Sequence, residues 1–559
     1  MRAPRLILFL VVLLLPVSGQ TGQTPPGAAV ATAHPMATAA AREILDRGGN
    51  AFDAAVAVTA SLAVVEPYGS GIGGGGFWLL HRAEDGFEVM VDGRETAPGE
   101  AHSEMYLDVD GEPIAGASLN GPLAAGIPGT PAALVHITER YGRLSLAENL
   151  APAIRQARNG FPVDRQYLRM IGFRRNVLNE WPDAAAVFLL NGDAPREGHL
   201  IRQPDLARTL ERVAEEGHDG FYRGPLAEQL VQATRDAGGI WSLDDLADYS
   251  IVEREPTVIH YRDLRIAAAG LPSAGGVALG TMLGLLQNYS LDELEPATRV
   301  HLIAETMRRA YRDRSLYLGD PDFAGDPTEK LLGVEHLAML GSDLTLDQAT
   351  DSGDLPAPDD GGEDTTHFSI IDIEGNRVSA TLSINYPFGS GFLAAGTGVL
   401  LNNEMDDFAI RPGERNIFDL IGGSNNLVEP GKRPLSSMTP AFVETVDRVG
   451  ILGSPGGSRI ITQVLLGILA FAEDTPPTEW VARPRFHHQY LPDRIQYEPG
   501  TFDSETEAEL ESLGHALAPM TRQYGDMQAI LWHRVDDTLR AASDPRGIGS
   551  AVVIDRERP

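Results

Sequence analysis

The acidic, proline- and glycine-rich stretch DSGDLPAPDDGGED, at residues 351–364, separates two parts of the chain that have different sequence patterns. From about residue 130 to 345, amphipathic segments such as LAENLAPAIRQARNG repeat, and their apolar spacing predicts helices. After residue 364, HFSIIDI and RVSATLSI alternate apolar and polar residues around the turn EGN, which predicts a β-hairpin. Helices followed by strands favour a layered sandwich of helices and sheets over repeated βαβ units.

Other segments add elements to this outline. MATAAAREILDRGG predicts a helix that ends at Gly48 and Gly49, and the apolar run at 54–65 predicts a buried helix. The alternation from residue 75 to 92 predicts a second hairpin. Near the C-terminus we expect strands at ITQVLLGILAF and DRIQYEPG and a helix at EAELESLG.

The N-terminus has the pattern of a secretory signal peptide over residues 1–19. Arg2 and Arg5 precede twelve apolar residues at 6–17, and small residues follow up to Gly19. The apolar run is shorter than the roughly 20 residues that span a bilayer, which disfavours the alternative of an uncleaved anchor. We therefore expect an exported protein, periplasmic or extracellular.

Charge and cysteine content exclude several classes of function. The formal net charge is -33, from 45 Lys+Arg against 78 Asp+Glu, so the surface should repel nucleic acid and anionic lipid. An anionic substrate would need a local arginine. The chain has no cysteine, which excludes disulfides, thiolate nucleophiles and Cys-ligated zinc.

The glycine-rich stretch GSGIGG at 69–74 matches G-x-G-x-x-G in form. A dinucleotide-binding loop follows a strand and opens a helix, whereas here a predicted helix precedes and a predicted strand follows. The glycines indicate close backbone packing or a loop beside a ligand instead.

A double threonine stands where the acidic stretch meets the first predicted strand. On that strand Thr365, His367 and Ser369 share one face, and Thr366 shares the other, apolar face. Thr365 is thus a candidate nucleophile and Thr366 a packing residue. A base could come from His367, or from the α-amine of Thr365 if the chain were cut before it; a bland linker is the alternative.

Three further motifs remain ambiguous when they are taken alone. Gly456 and Gly457, in GSPGGSRI, could direct two N–H groups at an oxyanion or form a plain tight turn. The acids of NNEMDDF could bind a metal, recognise an ammonium, or be solvated. KRPLSSM offers basic and hydroxyl groups suited to a carboxylate, or an ordinary loop.

Together, TTHFSIIDIEGN, SATLSIN, LLNNEMDDF, KRPLSSMTP, GSPGGSRIIT, RPRFHHQ and ASDPR, with VDGRETAP and YRDRSLYLGDPDF upstream, resemble the γ-glutamyltransferases (γ-glutamyl transpeptidases). These are N-terminal nucleophile hydrolases. The resemblance covers about residues 27–553 and keeps the family's motif order. It implies an α+β fold, a four-layer αββα sandwich.

The resemblance also implies a zymogen that cuts itself between Asp364 and Thr365. The products would be a large subunit, residues 20–364, and a small catalytic subunit, residues 365–559, which remain one folded heterodimer. Thr365 would be the nucleophile of both cleavage and catalysis, with its own α-amine as the base.

Roles for other residues follow from the same motifs. Ser383 corresponds to a hydroxyl beside the nucleophile, where many members carry threonine. Phe418, in a lid-like segment, stands where some members have tyrosine, so the resemblance implies a lid that lacks the tyrosine's hydrogen bond to the site. The implied oxyanion hole comprises Gly456 and Gly457; the α-carboxylate site comprises Arg94, Ser436 and Ser437; and the α-amino site comprises Asn385, Glu404 and Asp407.

The implied reaction is γ-glutamyl transfer from glutathione and similar compounds to water, amino acids or dipeptides. No metal or organic cofactor is implied, and the partners are small molecules. The rival is a glutaryl-type β-lactam acylase of the same fold. A glutaryl group has no α-amine, so the residues of the α-amino site argue against this rival.

Overall fold

The computed structural model describes residues 23–353 and 365–556. The predicted signal peptide and Asp364 lie outside the described residues. The strands are β1 Gly27–Thr32, β2 Gly75–Arg82, β3 Phe87–Gly93, β4 Phe161–Pro162, β5 Leu200–Ile201, β6 Val252–Arg254, β7 Thr257–Tyr261, β8 Leu264–Ala268, β9 Thr366–Ile371, β10 Arg377–Ser383, β11 Leu393–Ala394, β12 Val399–Leu400, β13 Ala441–Glu444, β14 Arg448–Gly453, β15 Phe486–His487, β16 Ile495–Tyr497, β17 Leu517–Pro519, β18 Gln528–His533, β19 Thr538–Ser543 and β20 Ser550–Asp555.

The described residues form eighteen α-helices, and between residues 130 and 345 helices occupy most of the chain, as its periodicity predicts. They are α1 Pro35–Asp46, α2 Ala51–Val65, α3 Thr130–Tyr141, α4 Leu146–Asn159, α5 Arg165–Glu180, α6 Pro182–Phe188, α7 Pro204–Glu216, α8 Asp219–Tyr222, α9 Gly224–Asp236, α10 Leu243–Ala247, α11 Gly275–Leu286, α12 Pro296–Tyr317, α13 Pro321–Ala324, α14 Thr328–Leu331, α15 Val334–Gly341, α16 Ile460–Ala472, α17 Pro477–Ala482 and α18 Ser504–Ser512.

Two large sheets form the centre of the fold. The first has the strand order β20-β1-β9-β10-β2-β3-β6, and the second has the order β19-β18-β14-β13-β8-β7. Both predicted hairpins are confirmed: β2 pairs with β3, and β9 pairs with β10, each antiparallel. Because the first sheet takes strands from both sides of residue 364, the two parts of the chain are one intertwined unit.

Three apolar clusters separate four layers, which confirms the αββα sandwich. The alternation along β9 shows why: Phe368 and Ile370 face the cluster beneath α1–α9, whereas Ile371 faces the cluster between the sheets. Ile451 of β14 meets that central cluster from the second sheet. The second sheet covers its other face with α11, α12 and α16.

One segment differs from its predicted structure. ITQVLLGILAF, expected as a strand, lies within helix α16, which is buried over nearly its whole length. A helix that is apolar on all sides shows no 3.6-residue period, so its sequence cannot be told from that of a buried strand. In the part of the chain that the structure describes, no helix is long and apolar enough to cross a membrane.

Candidate active site

Thr365 stands directly before β9, a strand in the interior of the first sheet. Its neighbours there are β1 and β10, and the ladder to β10 ends with the pair Thr366 and Leu382. Thr365 is 9% exposed. The nucleophile predicted from the double threonine therefore lies at the end of a strand that is fixed on both sides.

A cavity beside Thr365 collects most of the predicted site residues from distant parts of the chain. Arg94 follows β3, Ser383 ends β10, and Asp407 ends a short 3-10 turn, Glu404–Asp407. The full lining is Arg94, Thr365, Ser383, Asn385, Asp407, Phe418, Leu420, Ser436, Ser437, Met438, Gly457 and Ile460. Glu404 contacts Arg94 at the same place, and Gly456 lines a neighbouring cavity that also contains Thr365.

Arg94 is the cation that the acidic surface charge led us to expect. It is 1% exposed, and its Nη1 donates to Glu404 Oε2 at 2.5 Å while Nη2 donates to Asp407 Oδ2. Its Nε donates to the carbonyl of Pro434 at 3.2 Å. The guanidinium is thus held in one plane by two carboxylates and a backbone oxygen, a geometry suited to a bidentate partner.

Acids outnumber the arginine in this cluster. Glu95 is fully buried 3.6 Å from Arg94, and neither of its carboxyl oxygens accepts a hydrogen bond within the described residues. Burial raises the pKa of Glu95 well above its usual range, and the neighbouring Glu404 raises it further. Burial likewise raises the pKa of Glu404, to about 7, against the opposing effect of Arg94.

Hydroxyl and amide groups complete the cavity wall. Ser383 Oγ accepts from the N–H of Asn385 at 2.7 Å, and Asn385 adopts a left-handed conformation with φ 73°. Asn385 Nδ2 donates to the carbonyl of Asn403 at 2.9 Å. On the opposite wall Arg314 Nη2 donates to Ser437 Oγ at 3.4 Å, and Ser436 Oγ accepts from the N–H of Met438 at 3.1 Å.

Gly456 and Gly457 lie between β14 and α16, where only glycine fits. Their φ values are 135° and 56°, in the region that L side chains rarely adopt. A Cβ on Gly457 would lie 2.5 Å from the ring of Phe418, and one on Gly456 would lie 2.6 Å from Gln463 Nε2. The pair thus brings backbone close to Thr365 on two sides, because each glycine lines a different one of the two cavities.

His367 does not have a free nitrogen to serve as the base. Its Nδ1 is 2.9 Å from Thr381 Oγ1, and its Nε2 is 3.2 Å from Ser369 Oγ. Burial lowers the pKa of His367 to about 3. The ring is also packed against Gly453, where a Cβ would lie 2.2 Å from it.

The glycines of GSGIGG run between α2 and β2, in the reverse of the dinucleotide-binding order, as predicted. A Cβ on Gly74 would lie 2.2 Å from the carbonyl oxygen of Ser383, and one on Gly73 would lie 2.1 Å from that of Leu400. These glycines therefore allow the backbone to approach the end of β10, beside Thr365.

Sequence reasoning missed three charged residues near Thr365: Glu95, Arg314 and Glu66. Glu95 follows Arg94 directly, so its position beside a predicted anion-binding residue was the available signal. Arg314 lies in YRDRSLYLGDPDF, one of the motifs of the family resemblance, and its membership of that motif was the available signal. Glu66 accepts a hydrogen bond from Thr366 Oγ1 at 2.7 Å, so Thr366 is more than the packing residue that alternation predicted.

One group of side chains in the described residues has donor atoms close enough for a metal: His301, Glu305 and His515. His301 Nδ1 and His515 Nε2 are 2.7 Å apart and hydrogen-bond to each other, while His301 Nε2 contacts the carbonyl of Thr345 at 2.8 Å. Glu305 is paired with Arg308 and Arg309. Both nitrogens of His301, Nε2 of His515 and the carboxylate of Glu305 are thus engaged by other groups of the protein.

The chain is similar to known proteins over nearly its whole length. The family model for gamma-glutamyltranspeptidase matches residues 37–554. A glutathione hydrolase proenzyme of Pseudomonas aeruginosa is 41% identical over 551 residues, covering 95% of this chain and 95% of its own. One of Escherichia coli is 38% identical over 528 residues, covering 93% and 90%. A solved cephalosporin acylase from Bacillus halodurans has a TM-score of 0.82 at 27% identity, covering 97% of this chain and 99% of that one.

A threonine at the head of an inner strand, in a sandwich of two sheets between two helical layers, defines an N-terminal nucleophile hydrolase. The family match extends over nearly the whole chain, and the relatives match it over nearly their whole length. The chain belongs to the γ-glutamyltranspeptidase family, which confirms the resemblance drawn from its motifs.

Proposed function

We propose that the chain is a proenzyme that cuts itself before Thr365 and then transfers γ-glutamyl groups from glutathione and related compounds to water, amino acids or dipeptides. The observation that carries the proposal is the cavity that Thr365 shares with Arg94 and Asp407. It places a nucleophile beside groups of both charges, which a γ-glutamyl substrate needs because its far end carries both an ammonium and a carboxylate.

In the maturation step, the Thr365 hydroxyl attacks the carbonyl carbon of Asp364. The peptide nitrogen leaves that carbon as the hydroxyl oxygen bonds to it, so an ester replaces the amide. One water then hydrolyses the ester, which yields the Asp364 carboxylate and a free α-amine on Thr365. The products are the large subunit, residues 20–364, and the small subunit, residues 365–559, as a heterodimer.

In catalysis the new α-amine of Thr365 takes the proton of its own hydroxyl. A free α-amine has a pKa of roughly 7.7 to 8.0, near the range where a general base is effective. The hydroxyl oxygen attacks the γ-carbonyl carbon, and Gly456 and Gly457 stabilise the oxyanion. Each N–H donor of an oxyanion hole typically contributes about 3 kcal/mol of transition-state stabilisation. The leaving amine takes a proton, and water or an acceptor amine then resolves the ester.

Substrate recognition would exchange partners within the Arg94 cluster. In the described structure Arg94 pairs with Glu404 and Asp407. The α-carboxylate of the substrate would bind to Arg94, Ser436 and Ser437. The α-ammonium would bind to Glu404, Asp407 and Asn385. Arg94 and the two acids would then each still have a partner of opposite charge.

Location and lid are part of the same proposal. The signal pattern at residues 1–19 supports export to the periplasm or beyond. Phe418 packs on Gly457, and its carbonyl accepts from Gln489 Nε2 at 3.2 Å. A phenylalanine has no hydroxyl to donate a hydrogen bond. Closure of the lid-like segment over the γ-glutamyl substrate would therefore depend on packing.

Denaturing electrophoresis tests the maturation step. Wild type should give two bands, and Thr365→Ala should give one band and no activity, because both reactions need the same hydroxyl. A folded wild type that stays as a single band would contradict the proposal.

A glutaryl acylase remains the second candidate, because a cephalosporin acylase matches the whole fold. Comparing the hydrolysis of γ-glutamyl and glutaryl anilides separates the two activities. The acids beside Arg94 favour the substrate that carries an ammonium, so we expect the γ-glutamyl anilide to be preferred. Preference for the glutaryl anilide would reverse the assignment.

A further inference from the structure

Glu66 is a buried carboxyl that none of these steps uses. It caps the C-terminal end of α2 and is 3% exposed. Burial raises the pKa of Glu66, whereas His34 and two donated hydrogen bonds oppose that rise and favour the carboxylate. Two hydroxyls donate to it: Thr366 Oγ1 at 2.7 Å and Tyr68 Oη at 3.2 Å.

The first of these hydrogen bonds reaches the residue next to the nucleophile. Thr366 forms the last rung of the ladder between β9 and β10, and Thr365 precedes it. The loop after α2 closes on the same place, since a Cβ on Gly69 would lie 3.5 Å from the Thr365 carbonyl oxygen. After cleavage Thr365 would be a chain terminus, and termini are poorly ordered unless they are tied down. Thr366 then anchors this terminus to β9 and β10, next to the Thr365 hydroxyl.

Glu66 also lies near Thr365, because the two residues line the same cavity. Both line a cavity on the other side of the nucleophile from Arg94, together with Gly456, Asp526 and Arg169. The charged and titratable groups that act on Glu66 include His34, Tyr68, Asp164 and Asp526, and the cation of Arg169 lines the same cavity.

We propose that Glu66 is a positioning residue that, through Thr366, holds Thr365 in its attacking geometry and contributes to the charge environment of the Thr365 α-amine. The inference rests on the proposed function, because it concerns the same nucleophile.

The two roles give separable effects. Loss of the hydrogen bond alone lets Thr365 move, and a misplacement of about 1 Å can lower the rate about 100-fold. Loss of the negative charge also acts on the base, because a nearby carboxylate favours the ammonium form and raises the pKa of an amine. Removing that charge should therefore lower the pKa of the α-amine.

The test uses the full chain with Glu66→Gln, Thr366→Val and Thr366→Ser. Thr281→Val is the matched control, since Thr281 is equally buried in α11 and its hydroxyl bonds only the carbonyl of Val277 among the described residues. For each variant we would measure cleavage into two chains, thermal unfolding, and kcat and KM for a γ-glutamyl anilide as a function of pH.

We expect Thr366→Val to lower kcat about 10- to 100-fold with little change in KM, because the residues proposed to bind the γ-glutamyl substrate are unchanged. Thr366→Ser should recover most of the rate, and Thr281→Val should keep wild-type kcat. Glu66→Gln should lower kcat and also move the acidic limb of the kcat/KM profile to lower pH. Slower self-cleavage at an unchanged melting temperature counts as support, since the same hydroxyl attacks.

Wild-type kcat in both Glu66→Gln and Thr366→Val would overturn the inference. So would a Thr366→Ser variant no faster than Thr366→Val, or an acidic limb that Glu66→Gln leaves in place. A wild type that neither cleaves itself nor hydrolyses the anilide would instead defeat the proposed function.

Discussion

Two buried glutamates, each beside an arginine, have opposite protonation behaviour. Glu305 in α12 accepts from Arg308 Nε at 3.0 Å and Arg309 Nη1 at 2.6 Å, and from Thr350 Oγ1 at 2.6 Å. Glu404 instead shares the single guanidinium of Arg94 with two other acids. Arg308 also pairs with Asp493, and Arg309 also pairs with Asp343, so the Glu305 cluster has two arginines for three acids. The Arg94 cluster has one arginine for three acids.

This ratio decides the pKa. Burial raises the pKa of both glutamates, but at Glu305 the two arginines and Thr350 outweigh it and hold the pKa at about 2. At Glu404 burial prevails over Arg94, and the pKa is about 7. The Glu305 cluster is thus fixed as ion pairs at neutral pH, whereas the proposed substrate, which carries both charges, would change the partners and protonation of the Arg94 cluster.

The largest expected effect comes from removing the arginine of the candidate site. Arg94→Met should lower kcat/KM for a γ-glutamyl anilide by about 1000-fold, because truncating one partner of a buried charge pair costs about 2 to 5 kcal/mol and the substrate carboxylate loses its cation. Arg308→Met is the matched substitution in the other cluster. It should destabilise the fold but keep the kcat/KM of the folded fraction. Equal activity losses would erase the distinction between the clusters.

The second test measures how firmly the Glu305 cluster is fixed. The folded pKa of Glu305, about 2, lies below its ordinary value of 4.5, so its stabilisation is complete above 4.5 and is lost as the pH falls toward 2. The shift corresponds to about 3 kcal/mol. Chemical denaturation of Glu305→Gln should therefore show a loss near this size at neutral pH that shrinks in acid. A loss that does not vary with pH would show that the charge of Glu305 is not its source.

The third test concerns Glu404, whose pKa shift has the same size as that of Glu305 but the opposite sign. Because its pKa of about 7 lies above the ordinary 4.5, it favours folding below 4.5, and this contribution is lost as the pH rises through 7. Above pH 7, Glu404→Gln should therefore be more stable than wild type, by up to about 3 kcal/mol. In wild type the KM for the γ-glutamyl anilide should rise as the pH falls below 7, because the ammonium loses an ionised partner; in Glu404→Gln it should be higher and flat. A wild-type KM independent of pH would contradict this.

Features that depend on neighbouring residues in the sequence were predicted correctly, whereas features that depend on contacts between distant segments were not. The β9–β10 hairpin and the choice of Thr365 over Thr366 depend on alternation within a few residues, and the structure has the same alternation. Helix α16 was predicted wrongly, because what surrounds a fully apolar segment is not encoded in its own pattern.

The candidate site shows the same division. Motif resemblance named Arg94, Ser383, Asn385 and Asp407, and the structure brings all of them to one cavity. Their roles stay predictions. Glu95 and Glu66 were missed because neither belongs to a motif that we recognised. Their significance comes from burial and from neighbours distant in the chain.

By itself, the sequence determined the family and predicted most of the elements and the nucleophile, since all three depend on residue identity and local spacing. Only the tertiary structure decided which charges share one buried volume. That is why Glu404 titrates near neutrality while Glu305 stays ionised: pKa values depend on burial and on the count of nearby charges, and strands and helices far apart in the chain set both.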